Sequence, residues 1–347
     1  MKLVNRVRFV ALLVVLSAAI VPKASASKVQ ASQDALCSST PHLDHPHVEL
    51  RSGDLHVIVF LPDAKTGYYR AQRFDWSGVI GCASYRGHTY WGQWFRHYDP
   101  EVNDSITGPV EEFRPDDGGQ GYDAAQPGGT FVKIGVGVLR KTSNVPYRFG
   151  DSFPIVDTGH WSVHVGKRSI TFQQRLTSPD GMKYLYTKKL ILSRDGSLLT
   201  LHHTLKNLGS NPLVTNVYDH DFFMLDGQST GTGFVLHLAF APVPQTPLEP
   251  GATVKGHDTV YLKELQPRDT VASYLTGYGS TASDYDIRLE NKNTHTGIEQ
   301  TGTVPISRFY LWSIHTTVCP EAYVHLDIPP EKTGQWDIHY HFLTNLP

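Results

Sequence analysis

The chain has 347 residues, of which 31 are basic, 33 are acidic and 18 are histidine, so its formal net charge is −2. With 18% charged and 40% hydrophobic residues, its composition is that of an ordered globular protein rather than a disordered one. This balance provides no basic surface for nucleic acid or anionic lipid, and we expect neither as a partner.

The first 26 residues have the pattern of a secretory signal peptide. Lys2, Arg6 and Arg8 precede an apolar stretch over 9–21, and the small residues at 24–26 provide a cleavage site. The apolar stretch is shorter than the ~20 residues that span a bilayer. We therefore expect an exported protein, secreted or periplasmic, that has no membrane attachment after cleavage.

The pattern of the chain changes twice after the signal peptide. Residues 27–47 are rich in serine, alanine and glutamine, and they are predicted to form a tail or linker. Residues 48–347 consist of short alternating or apolar runs, separated by turn sequences such as Pro-Asp-Gly at 179–181. A helical period is not sustained anywhere along the chain. The sequence therefore predicts one all-β domain with many antiparallel strands.

Three cysteines occur in the chain, Cys37, Cys82 and Cys319. An export compartment permits disulfides, and three cysteines allow at most one bridge within the chain. None of them lies in a Cys-x-x-Cys or Cys/His cluster, so no metal site is predicted. We expect either a bridge between Cys37 and one of the others, or buried thiols.

Residues 68–95 form the first candidate for ligand binding. This segment is dense in aromatic and polar side chains and includes Arg70, Arg73, Trp76 and Trp91. Aromatic rings stack on the apolar face of a sugar while charged groups bind its hydroxyls, and we assign these four residues to the substrate. The alternative is that the aromatic residues belong to the core and the arginines pair with nearby acids.

The second candidate lies in and after a stretch rich in glycine and proline, residues 87–129. So long an irregular stretch is typical of a functional loop, and we place part of the binding site there. Glu111 and Glu112 are adjacent on an extended segment, so only one of them can face a common pocket, and we assign Glu112 to it. Lys133 lies between two apolar residues, and we expect it to point into the same pocket.

The third candidate is His220, which lies between two aspartates within residues 215–226. A neighbouring carboxylate can fix the tautomer of such a histidine, which then acts as a proton donor near neutral pH. Tyr218 and Asp219 are placed to orient it and to contact the substrate.

The fourth candidate is Glu321, which follows Pro320 and precedes a closing strand over 336–342. A carboxylate presented at a turn rather than within a strand is typical of catalytic groups.

The third and fourth segments together resemble the galactose mutarotase-like superfamily, and its aldose 1-epimerases in particular. The epimerase pattern Asn-x-x-x-His-x-Tyr/Phe-Phe-x-Leu matches the segment from Asn216 to Leu225, with His220 in the histidine position. Glu321 stands where the family has its catalytic glutamate, shortly before the final strand. The Asn-Arg pair and the His-Gly-Gly stretch of the epimerases are missing from the first half of this chain.

This resemblance implies a large antiparallel β-supersandwich that acts on a sugar or oligosaccharide. It also implies an isomerase that interconverts the two anomers of an aldose without a cofactor or metal. His220 would protonate the ring oxygen while Glu321 removes the proton of the anomeric hydroxyl.

Two other functions remain open, because one fold hosts several activities. In a polysaccharide lyase, Arg70, Arg73 and Lys133 would neutralise the carboxylate of a uronic acid before a proton is removed. In a non-catalytic carbohydrate-binding protein, the sugar would stack on Trp76, Trp91 and Trp94. An acid and a base that face one pocket would favour an enzyme, whereas an open aromatic face without them would favour a binding protein.

Overall fold

The computed structural model describes residues 36–347 of the chain. The predicted signal peptide and the first part of the predicted tail lie outside the described residues. Within them, none of the helices combines the length and the apolar character needed to cross a lipid bilayer.

The described residues include 23 strands and two short 3-10 helices, Leu225–Gly227 and Ala282–Asp284, and residues 36–38 are also helical. The first twelve strands are β1 (His47–Ser52), β2 (Leu55–Phe60), β3 (Val79–Tyr85), β4 (His88–Trp91), β5 (Val110–Phe113), β6 (Thr130–Lys133), β7 (Gly137–Arg140), β8 (Ile155–Asp157), β9 (His160–Val165), β10 (Ser169–Thr177), β11 (Lys183–Leu192) and β12 (Leu198–Asn207). The others are β13 (Leu213–His220), β14 (Phe234–Leu238), β15 (Val243–Pro244), β16 (Ala252–Lys255), β17 (Asp258–Tyr261), β18 (Thr270–Thr276), β19 (Asp286–Asn291), β20 (Thr296–Gly302), β21 (Arg308–Ile314), β22 (Thr317–Ile328) and β23 (Thr333–Thr344).

The largest sheet contains ten antiparallel strands in the order β16-β17-β14-β19-β20-β23-β12-β11-β10-β9. Its long central strands alternate between buried and partly exposed residues. This two-residue period places one face of the sheet against the core and leaves the other to solvent. The predicted all-β class with antiparallel strands is confirmed.

A six-stranded sheet in the order β15-β18-β21-β22-β13-β5 packs against the buried face of the ten-stranded sheet. Val217 of β13, Leu311 of β21 and Val324 of β22 share one hydrophobic core with Leu190 and Ile338 of the larger sheet. The alternate residues of these strands therefore lie on the opposite, outer face of the six-stranded sheet.

Two smaller sheets, β1-β2-β3-β4 and β6-β7-β8, complete the architecture. A disulfide joins Cys37 to Cys82 of β3, and Cys319 is free and buried. Residues 36–46, part of the predicted linker, are thus attached covalently to the folded domain. The ring of His42 in this segment also stacks on Tyr98, with centroids 3.9 Å apart.

Candidate active site

Two neighbouring strands of the six-stranded sheet bring His220 and Glu321 together. β13 and β22 run antiparallel and pair Val217 with Val324. The same register, carried three residues further, places His220 opposite Glu321 on the outer face, where cross-strand side chains are neighbours. His220 Nε2 accordingly lies 3.3 Å from Glu321 Oε1.

The pair contributes to the wall of a cavity of about 330 Å³ on the outer face of this sheet. That volume is in the range of small-molecule sites, about 300–1,000 Å³. The sheet supplies Tyr310, which pairs with Glu321 across β21 and β22, and Tyr274, which pairs with Tyr310 across β18 and β21. A row of functional side chains thus crosses four adjacent strands.

Loops enclose the cavity on its other sides. Trp94 and Asp104 come from the long irregular region before β5, and Phe149 from the loop before β8. Together with Trp312 of β21, the two indole rings give the cavity flat apolar surfaces on which the C–H face of a sugar can stack. In residues 36–347, no group of three or more His, Cys, Asp or Glu is arranged to hold a metal ion.

The ring of His220 is held in place by its neighbours. It stacks on Phe222, with centroids 3.9 Å apart and planes tilted by 11°, and it meets Trp312 edge-on. Phe222 has a φ of +45°, a left-handed conformation that costs a bulky residue about 1–3 kcal/mol and that surrounding packing must maintain. Gly108 approaches the same backbone so closely that a Cβ there would lie 2.7 Å from the carbonyl oxygen of His220.

The protonation of the pair follows from its burial. Desolvation lowers the pKa of His220 well below its usual value, and the Arg73 guanidinium lowers it further. Desolvation raises the pKa of Glu321 to about 8, although Arg73 opposes this rise. At neutral pH these shifts place the one titrating proton of the pair on Glu321 and leave His220 neutral. Transfer of that proton across the 3.3 Å contact gives the ion pair of an imidazolium and a carboxylate.

Arg73 is fixed beside the pair by three contacts. Its guanidinium donates hydrogen bonds to Glu112 Oε2 at 2.9 Å, to Asp104 Oδ1 at 2.6 Å and to the hydroxyl of Tyr218 at 3.2 Å. Burial alone would raise the pKa of Glu112, but Lys133 and Arg73 outweigh it and hold that pKa well below its usual value. Two carboxylates thus pair with Arg73, which donates to the hydroxyl of Tyr218 and still lowers the pKa of His220.

Glu111 and Glu112 point to opposite sides of β5, as their adjacency predicts. Glu111 faces the ten-stranded sheet, where it contacts Lys188 and accepts a hydrogen bond from His203 Nε2 at 2.6 Å. Burial alone would raise the pKa of Glu111, but Lys188 and His203 reverse this effect and hold it at about 2. A charged cluster therefore lies inside the sandwich, directly behind the sheet that carries the cavity.

Ten residues were assigned to the site from the sequence, and four of them line the cavity. These four are Arg73, Tyr218, His220 and Glu321. Glu112 lies behind them and holds Arg73 and Tyr218 in place. The structure thus places these five residues at the cavity or directly behind it, while their chemical roles stay predictions.

The structure corrects the placement of Lys133. Its ammonium is buried and donates to Glu112 Oε1 at 3.2 Å, to the carbonyl oxygen of Phe113 at 2.9 Å and to that of Gly118 at 3.3 Å. These three acceptors use all three of its protons. Lys133 does not line the cavity, because the nearest buried carboxylate holds it behind the site.

Four other expected ligand contacts are also corrected. Asp219 faces the core and accepts a hydrogen bond from Tyr340 at 2.6 Å, since alternation along β13 turns it away from His220. Trp91 is buried and donates to the carbonyl oxygen of Asp221. Arg70 and Trp76 line a separate groove on the surface rather than this cavity. Of the three tryptophans proposed as a stacking platform, only Trp94 lines the cavity.

Sequence reasoning missed several lining residues, among them Arg114, Tyr274, Tyr310 and Trp312. Strand alternation carries a signal for two of them, because Tyr310 and Trp312 alternate with buried apolar residues along β21. Arg114 is two residues beyond Glu112 and lies on the same side of the chain. This spacing predicts a position for Arg114 near the cavity only once it is known that Glu112 faces the cavity side of the sheet.

The fold is a large antiparallel β-supersandwich, and its smaller main sheet carries the cavity on its outer face. No protein-family model matches the sequence, and no curated protein sequence matches it. Solved structures do match, and the three described next have TM-scores between 0.53 and 0.56.

One is a GalM/aldose epimerase homologue from C. elegans, with a TM-score of 0.56 and 12% identity over 86% of this chain and 99% of that one. Another is a galactose mutarotase related enzyme from Lactobacillus acidophilus, at 0.53 and 12% over 86% and 98%. A third is a galactose mutarotase-like protein from Clostridium acetobutylicum, at 0.53 and 11% over 86% and 95%. The chain therefore has the galactose mutarotase-like fold, and the resemblance stated from the sequence is confirmed at the level of the fold.

Proposed function

We propose that the protein is an aldose 1-epimerase that interconverts the two anomers of a sugar by acid–base catalysis. The observation that carries this proposal is the contact between His220 Nε2 and Glu321 Oε1, 3.3 Å apart in the wall of an aromatic cavity. The pKa values of both groups are displaced so that the pair holds one titrating proton at neutral pH.

The reaction needs only that proton. In the ion-pair form, the imidazolium of His220 donates its proton to the ring oxygen while the carboxylate of Glu321 accepts the proton of the anomeric hydroxyl. The bond between the anomeric carbon and the ring oxygen breaks, which leaves an open-chain aldehyde, a neutral His220 and a protonated Glu321. Rotation of the aldehyde and the reverse proton transfers close the ring on its other face. No proton is lost or gained over the cycle.

Other residues of the cavity have supporting roles in this proposal. The hydroxyl of Tyr323 lies 3.4 Å from Glu321 Oε2 and helps to orient the carboxyl group. Arg73 keeps the pKa of His220 low, which makes its imidazolium a stronger acid. The tryptophan rings exclude water from the proton transfers and hold the sugar by its apolar face.

The two alternatives from the sequence have less support. A lyase would rely on Arg70, Arg73 and Lys133. Arg70 lies in a separate groove and Lys133 is bonded to Glu112 behind the cavity. Arg73 does line the cavity, but it is paired with Glu112 and Asp104. A simple binding protein does not require an acid and a base in contact within the cavity.

We also propose that the enzyme acts outside the cytoplasm. The sequence pattern of residues 1–26 supports export, and the bridge between Cys37 and Cys82 suits an oxidising compartment.

The pH dependence of the activity tests the proposed pair. We expect kcat/KM to be level near neutral pH and to fall as pH rises through about 8, the pKa of Glu321, because loss of the shared proton leaves a base without an acid. At low pH a second proton binds with a pKa well below that usual for histidine, which leaves an acid without a base. Polarimetry after subtraction of the buffer rate at each pH measures this profile. A rate that keeps rising with pH through this range would contradict the shared proton.

A further inference from the structure

Arg114 is a cation of the cavity that the proposed chemistry does not use. It follows β5 directly and lines the cavity together with His220 and Glu321. Its backbone N–H donates to the carbonyl oxygen of Asn216 at 2.7 Å, which fixes the position of the residue. No other residue within 36–347 forms a hydrogen bond or ion pair with its guanidinium. Burial alone would lower the pKa of Arg114, but the charge of Glu112 raises it above its usual value.

This arrangement differs from that of the other two cations near the cavity. Arg73 is bonded to Glu112 and Asp104, and Lys133 is bonded to Glu112 and two carbonyl oxygens. Arg114 alone among these three keeps all five of its N–H donors for a ligand. A planar guanidinium with free donors is the side chain best suited to bind a carboxylate through two parallel hydrogen bonds.

The charges around the cavity do not balance without a ligand. Arg73, Arg114 and Lys133 contribute three positive charges, while Asp104 and Glu112 contribute two negative ones. The pair of His220 and Glu321 is neutral overall in both of its proton arrangements. One positive charge therefore remains unbalanced in the wall of the cavity, and a ligand with one negative charge would neutralise it.

We propose that the substrate is a monoanionic aldose, of which a free hexuronic acid is the simplest, and that Arg114 binds its carboxylate. This inference rests on the proposed epimerase function and names its substrate class. A sugar phosphate fits less well, because its charge of about −1.5 to −2 at neutral pH exceeds the surplus of the cavity. A neutral aldose would leave the guanidinium without a partner.

Titration calorimetry with four probes tests this inference: D-galacturonate, D-galactose, D-galactose 6-sulfate and D-galactose 6-phosphate. We expect the wild type to bind the uronate at least about tenfold more tightly than the neutral sugar, because a hydrogen-bonded charge pair contributes that much or more. Arg114→Gln should weaken binding of the uronate by about 10- to 100-fold and change binding of galactose by less than about threefold. The sulfate and phosphate probes distinguish a carboxylate site from a general anion site.

Two further variants serve as controls. Arg114→Lys keeps the charge but not the paired donors, and it should bind the uronate with intermediate affinity. Arg175→Gln removes an equal charge from an exposed position on β10 of the ten-stranded sheet and should bind all four probes as the wild type does. Thermal unfolding of each variant shows whether the fold is retained.

The inference is overturned if the wild type binds galacturonate no better than galactose, or if Arg114→Gln weakens both equally. It is also overturned if the phosphate binds more tightly than the uronate. These results are separable from failure of the proposed function, since acceleration of galactose mutarotation that depends on His220 and Glu321 would leave the epimerase function standing.

Discussion

We expect His220→Asn and Glu321→Gln each to lower kcat for anomer interconversion by about 10²–10⁴-fold, the usual contribution of a single general acid or base. The kcat of the double variant should be only slightly below that of the less active single variant, because both groups serve one proton cycle and neither functions alone. Polarimetry on freshly dissolved α-anomers of galacturonate and galactose measures the rates.

Matched controls separate this effect from a loss of folding. His164→Asn and Glu264→Gln make the same chemical changes at exposed positions away from the cavity, and both should retain the wild-type rate. Binding of galacturonate to each active-site variant should stay within about tenfold of wild type. Single variants that keep more than about a tenth of the activity would remove His220 and Glu321 from the catalytic role.

We expect Lys188→Met to lower the free energy of unfolding by about 3–5 kcal/mol, the cost of leaving one partner of a buried ion pair behind. Lys188 and Glu111 are both 0% exposed, and Lys188 also donates to the carbonyl oxygen of Ser77 at 3.0 Å. Removal of the ammonium leaves the carboxylate of Glu111 buried, with the hydrogen bond from His203 as its remaining side-chain contact. Urea unfolding at constant pH measures the loss from the midpoint and slope.

The pH dependence of this loss gives a second readout. Without Lys188 the pKa of Glu111 in the folded state rises from about 2. Once it exceeds the pKa of the same group in the unfolded chain, the ionised carboxylate of Glu111 destabilises the fold, and this penalty disappears as pH falls and the group is protonated. The difference from wild type should therefore shrink as pH falls. Arg86→Met, which breaks an ion pair between side chains 54% and 43% exposed, should cost no more than about 1 kcal/mol. An equal cost for both variants would contradict the role of the buried cluster.

The sequence predicted the fold through local patterns. Alternation of apolar residues and the turn sequences between them predicted antiparallel strands, and the segment around His220 predicted the fold family. His220 and Glu321, about a hundred residues apart, were paired by that resemblance and are neighbours because β13 and β22 are adjacent in the sheet.

The surroundings of the pair could not be predicted in the same way. The face of the sheet to which a side chain points depends on how its strand is placed, which is why Asp219 faces the core and His220 faces the cavity. The ion-pair partner of each buried charged residue also depends on contacts between segments far apart in the sequence. Lys133 looked like a ligand-binding residue in the sequence, yet Glu112 holds it behind the cavity. Arg114 had no distinguishing pattern in the sequence, yet it lines the cavity.

The most direct test of the epimerase proposal is saturation transfer between the α and β anomeric proton signals in NMR spectra of D-galacturonate and D-galactose. The proposal predicts that catalytic amounts of wild-type protein speed exchange in proportion to protein concentration, and that His220→Asn abolishes the increase. Exchange of both sugars at the buffer rate, with protein that is folded and binds sugar, would contradict it.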